Sequence, residues 1–185
     1  MDQFREEVAA RRNRTGENIM YALAFVIMIL SGITAVFMFN VLTMTISTQG
    51  FDMSMMAFIV LTLLMAASAV LIFLYKDRIK TEYEYTFTNG IMDFARVFNN
   101  RKRKALGTMN IKNVEACGKV SSGSFHRYVS MPGVRRLNWF LNRDADLFYF
   151  YFVKDSAKTL MVIEPSETMV ELIVRAAGPG KYQKN

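Results

Sequence analysis

The chain has 185 residues, 52% of them hydrophobic and 21% charged, with a formal net charge of +7. A single histidine (His126) and a single cysteine (Cys117) exclude a histidine-cluster metal centre and an intrachain disulfide. The charges are unevenly spread: between Glu17 and Lys76 only Asp52 is charged, a pattern that no water-facing surface requires.

Residues 1–18 are polar and balance four arginines against Asp2, Glu6, Glu7 and Glu17. Phe4 and Val8 would share one face of a short helix at a membrane surface, but the stripe is too weak to be preferred over a frayed tail. Two apolar segments follow, "IMYALAFVIMILSGITAVFMFNVL" at 19–42 and "MMAFIVLTLLMAASAVLIFLY" at 55–75. Each approaches or exceeds the roughly 20 residues with which a helix crosses about 30 Å of hydrocarbon. In lipid such a segment satisfies its backbone only as a helix. The first run is too long for a signal-peptide core, and no A-x-A site follows it. The expectation is a transmembrane hairpin with an extracytoplasmic loop at 43–54. Arg5, Arg11, Arg12 and Arg14 precede it, Lys76, Arg78 and Lys80 follow it, and the loop carries no Lys or Arg. The positive-inside rule then puts both termini in the cytoplasm, at the inner membrane of the cell, as a multi-pass protein.

From Lys76 onward the chain is basic, and residues 81–178 read as a cytoplasmic β domain followed by a tail at 179–185. In "TEYEYTFTNG", Tyr83, Tyr85 and Phe87 alternate with Glu84, Thr86 and Thr88, the period of a half-buried strand. Asn89-Gly90 is a hairpin turn signal. "IMDFARVF" returns, Asn99-Asn100 marks a second turn, and "RKRKALGTM" makes a third strand. Asn110 can cap a short turn carrying Ile111 and Val114. "SSGS" at 121–124 is a loop, and 125–143 is irregular, basic and aromatic. "LFYFYFV" and "TLMVIE" are two more strands. Ser166 is the N-cap of a last helix whose apolar face is Met169, Leu172, Ile173, Ala176 and Ala177, ended by Gly178-Pro179.

This order resembles the small bacterial membrane proteins in which two transmembrane helices precede a cytoplasmic pleckstrin-homology-like (PH-like) domain. The resemblance lies in the helix pair, the "YEYTFTNGIMDFARVF" hairpin, the "TMNIKNVE" segment and "TLMVIEPSETMVELI", a last strand running into a closing helix. It implies an α-helical transmembrane hairpin plus an α+β PH-like antiparallel barrel or sandwich with a C-terminal capping helix. It implies little biochemistry, since most relatives have no assigned activity.

The candidate binding residues are bases and one aromatic: Arg96, the row Arg101, Lys102, Arg103 and Lys104, and the cluster Arg135, Arg136, Trp139 and Arg143. Four consecutive bases cannot share one sheet face. They either grip anionic headgroups, worth about 1 kcal/mol per well-placed base, or stand as solvated guards beside an apolar strand. The bases interleaved with aromatics around Trp139 suit a membrane interface better than single-stranded nucleic acid. No GxSxG, Walker or GxGxxG motif is present, so an enzyme is not expected, nor a metal or other cofactor. Cys117 reads as a small buried hydrophobe. Ser31, Gly32, Ala35 and the Ala66–Ala69 run permit close helix packing, which leaves room for a homo-oligomer. The expected role is recognition or scaffolding, with membrane lipid or an unknown protein as partner and no nucleic acid. The alternative is an accessory subunit that docks through its helices.

Overall fold

The computed structural model describes residues 3–184, in two compact units. One is the apolar hairpin, residues 13–80. The other combines the N-terminal residues through Arg12 with the chain from Thr81 onward.

In the hairpin, helix α1 spans Thr15–Gln49 and helix α2 spans Met56–Tyr75. Both are long and apolar enough to cross a membrane. The second matches the expected 55–75. The first overruns 19–42 by most of two turns at its C-terminal end, so the connection shrinks to residues 50–55. The reason is local. Thr43, Thr45 and Thr48 donate their hydroxyls to the carbonyls of Asn40, Val41 and Met44 at 2.8–3.0 Å, which hides their polarity inside the helix. Gly50, at φ 81°, then ends it. A single-turn 3-10 helix, Met53–Met55, precedes α2 with Asp52 accepting the Ser54 N–H at 3.2 Å.

Among the described residues the other unit holds nine strands. The first sheet has the order β1 (Phe4–Ala9), β2 (Thr81–Thr88), β3 (Ile91–Phe98), β4 (Lys102–Asn110). The two hairpins fall where the sequence puts them. Asn89 and Gly90 take φ 49° and 88°, and Asn99 and Asn100 take 49° and 53°, the positive values a tight primed turn demands. The expected helix or frayed tail at the N-terminus is instead β1, antiparallel to β2 from Phe4↔Thr88 to Ala9↔Tyr83. The face it turns to the sheet's core side carries Arg5, Glu7 and Ala9, of which Ala9 alone is buried, so it shows no apolar stripe; its partners lie some eighty residues away.

The second sheet has the order β6 (Arg135–Trp139), β8 (Ala157–Ile163), β7 (Phe148–Lys154), β5 (Ala116–Lys119), β9 (Tyr182–Gln183). It is mixed: β6 runs parallel to β8 and β9 parallel to β5. The basic-aromatic segment thus resolves into helix α3 (Gly123–Val129) and β6. The tail is not frayed. Tyr182 stacks on Phe148 with centroids 6.4 Å apart, and Gly118 lets β9 approach, since a Cβ there would lie 2.7 Å from the Gln183 carbonyl oxygen. Among the described residues no ladder joins the two sheets, so the expected barrel is not closed.

Both sheets share one core. Tyr85, Phe87, Met92 and Phe94 from the first meet Phe148, Phe150 and Ile163 from the second. Helix α4 (Glu167–Ala177) adds Met169, Ile173 and Ala177. A second cluster puts Tyr149, Tyr151, Leu160 and Val162 under Phe125 and Tyr128 of α3. Strand β7 is therefore buried on both faces, which is why "FYFYFV" lacks a polar alternation.

Candidate functional site

Strand β4 ends the first sheet and β6 ends the second. A groove of about 490 Å³ runs between them, within the size range of ligand sites. Its apolar lining includes Phe94, Leu137, Trp139, Phe152 and Met161, and Arg135, Lys154 and Asp155 also border it. One wall consists of consecutive residues, Leu106 to Asn110 of β4. A bulge shapes that wall. Phe94 pairs with Gly107 and Ala95 with Ala105, leaving Leu106 as the extra residue, an arrangement that bends an edge strand. At Gly107 a Cβ would meet no atom within 4 Å, so a hole opens beside the Phe94 ring. Trp139 tilts against Phe94 with centroids 5.1 Å apart.

The sequence-derived candidates separate. Arg135 and Trp139 line the groove. Arg136 donates to the Val129 carbonyl at 2.8 Å, and Arg143 sits exposed in the turn after β6. Arg96 is half-buried on the inward face of the first sheet, donating to the Tyr83 hydroxyl at 2.8 Å over its ring. The basic row splits as strand geometry requires: Arg101 lies in the turn, Lys102 and Lys104 pair with Phe98 and Arg96, and Arg103 points to the opposite face. There Arg103 forms an ion pair with Glu84. All four bases are exposed. Burial, above all, holds the Glu84 carboxyl above its ordinary value of 4.5; Arg103 pulls it down, while Glu6 adds to the rise.

The sequence reading passed over Gly107 and Lys154. An isolated glycine inside a strand pattern is itself a signal of a bulge or close approach, so Gly107 was within reach. Lys154 is legible only once β7 and β8 are paired.

A polar cluster ties the N-terminal segment to the second sheet. Glu164 accepts from the Asn142 N–H at 3.1 Å and its Nδ2 at 2.6 Å. Asn142 in turn donates to the Ala10 carbonyl and accepts the Arg12 N–H, at 2.9 and 3.0 Å. The Tyr85 hydroxyl donates to the Trp139 carbonyl, and burial raises its pKa. Glu7 accepts the Ser166 N–H at 2.9 Å and the Ser166 hydroxyl, fastening β1 to the start of α4, where a carboxylate suits the helix dipole. Cys117 is fully buried, and burial pushes its thiol up to about 11. Among the described residues no three His, Cys, Asp or Glu side chains gather where they could hold a metal ion.

Paired sheets around one core, with a C-terminal helix packed into it, define a PH-like domain. The chain matches the family described as Bacterial PH-like domain (DUF6106) over residues 1–182, and it belongs to that family. Membership points to a binding or scaffolding module. No curated protein and no solved structure matches the chain.

Proposed function

We propose that this chain is a membrane-anchored recognition module, a binding protein rather than an enzyme. Its apolar hairpin spans the inner membrane and its PH-like domain faces the cytoplasm. One observation carries the reading. β1 and β2 flank the hairpin in sequence and pair with each other in one sheet, so the chain enters and leaves the apolar phase from the same side. The arginines before α1 and the bases after α2 make that side the cytoplasmic one. A tether at both ends keeps the domain at the inner leaflet. Arg101, Lys102 and Lys104, exposed on the domain, then favour anionic headgroups there, while the groove serves a protein partner.

A second reading, an accessory subunit docking through its helices, gains support from Asn40. This exposed amide on α1 bonds within its own helix, to the Val36 carbonyl at 2.8 Å, and in hydrocarbon such a group favours another helix as partner. Alkaline carbonate extraction tests the anchor: the protein stays in the membrane pellet and needs detergent for release. Release by carbonate alone would overturn the reading. Replacing Asn40 with Leu separates the two roles, since loss of a co-purifying complex in mild detergent favours the subunit.

A further inference from the structure

The free edge of β4 carries two kinds of sequence. Lys102, Arg103 and Lys104 occupy one half, as charges commonly do where a sheet edge must be kept from pairing. The other half, Ala105 to Asn110, has no charge at all, and this is the half that walls the groove. A strand directs about half of its backbone N–H and C=O groups to each side. Those of β4 on the β3 side are used, and β4 is the last strand of its sheet.

We infer that an extended segment of a partner protein adds as a strand to the Leu106–Asn110 edge, seating an apolar side chain in the hole at Gly107 and acidic residues against Arg135 and Lys154. The backbone decides the class of ligand. An acyl chain in the groove would cover peptide groups with hydrocarbon and leave them unsatisfied, whereas a peptide brings matching donors and acceptors. The charge decides the composition: Arg135 and Lys154 face a single acid, Asp155, around the groove. The missing Cβ at Gly107 decides where the anchor sits, between β4 and the Phe94 and Trp139 rings. This inference rests on the recognition reading, narrows it to one surface, and does not depend on the membrane topology.

The chain has a single tryptophan, and it lines the groove, so occupancy is read directly from Trp139 emission. The full chain in mild detergent is used to select from a displayed random dodecapeptide library, and the selected peptides are titrated against the wild type, Gly107→Val and Arg135→Glu. The expected peptides alternate apolar positions, carry excess Asp and Glu, and shift Trp139 emission on binding. Gly107→Val projects into the hole, where its Cβ meets no atom within 4 Å, and favours the strand, so its melting temperature is equal or higher while affinity falls about tenfold or more. Arg135→Glu weakens the acidic peptides at unchanged melting temperature. Peptides that bind Gly107→Val as well as wild type overturn the inference but leave recognition at another surface standing. A groove that responds to phosphatidylglycerol and to no peptide overturns it in favour of a lipid. Absence of binding to both probes overturns this inference and the recognition reading together.

Discussion

In the hairpin, Leu30, Phe37, Leu64 and Phe73 are each more than half exposed, whereas in the sheet unit Phe87, Phe148 and Phe150 are fully buried. The same side-chain chemistry is turned outward in one unit and inward in the other. The sheet unit removes apolar surface from water and keeps its charges outside. The hairpin satisfies its backbone within its helices, folds its threonine hydroxyls back onto carbonyls, and presents hydrocarbon outward, as a bilayer requires. The polar residues diverge too. In the sheet unit they link distant segments, as Glu7 does with Ser166, while Asn40, Thr43, Thr45 and Thr48 of α1 bond to carbonyls three or four residues back.

That contrast is broken or sharpened by substitution. The largest effect is expected at Phe150→Ala, which empties a fully buried site and costs about 3–5 kcal/mol, read by denaturant unfolding of the sheet unit. Leu64→Lys, on the exposed face of α2, costs about 3 kcal/mol of insertion if that face meets lipid, read as loss of membrane-integrated protein. On a water-facing helix the same change would stay within about 0.5 kcal/mol. Ser166→Ala removes the α4 cap, which accepts the Met169 N–H at 3.2 Å, and a partner of Glu7, for a loss of about 1 kcal/mol seen in thermal melts.

The smallest effect is at Glu84, and it depends on pH. Its folded pKa is raised, so the fold binds a proton more tightly than the unfolded chain does. Ionised Glu84 therefore weakens the fold as pH climbs from 4.5 through the raised value. Glu84→Gln should melt higher than wild type at neutral pH, with the gain vanishing below pH 4.5. A gain that persists in acid would assign the effect to something other than ionisation.

Elements set by neighbours in sequence were legible. The two asparagine turns, α2, and α4 with its Ser166 cap follow from local chemistry, as does the splitting of the basic row. Elements set by distant partners were not. β1 hides its role because its core-side face carries Arg5 and Glu7, the latter answering a serine 159 positions away. β9 depends on the missing side chain at Gly118. The groove joins β4, β6 and the β7–β8 turn, and no spacing rule links Gly107 to Trp139 or Lys154. Only Arg135 and Trp139 of the proposed residues fall in it, since charge and aromaticity mark a surface without saying which residues share it.

The most direct measurement is cysteine accessibility in intact cells. Cys117 is buried and replaced by Ser as a precaution, and single cysteines are introduced at Asp52, in the helix connection, and at Asp155, in the β7–β8 turn. A membrane-impermeant maleimide is expected to label the Asp52→Cys protein in intact cells and the Asp155→Cys protein only after permeabilisation. Labelling of Asp155→Cys in intact cells would contradict a hairpin that spans the membrane from the cytoplasmic side.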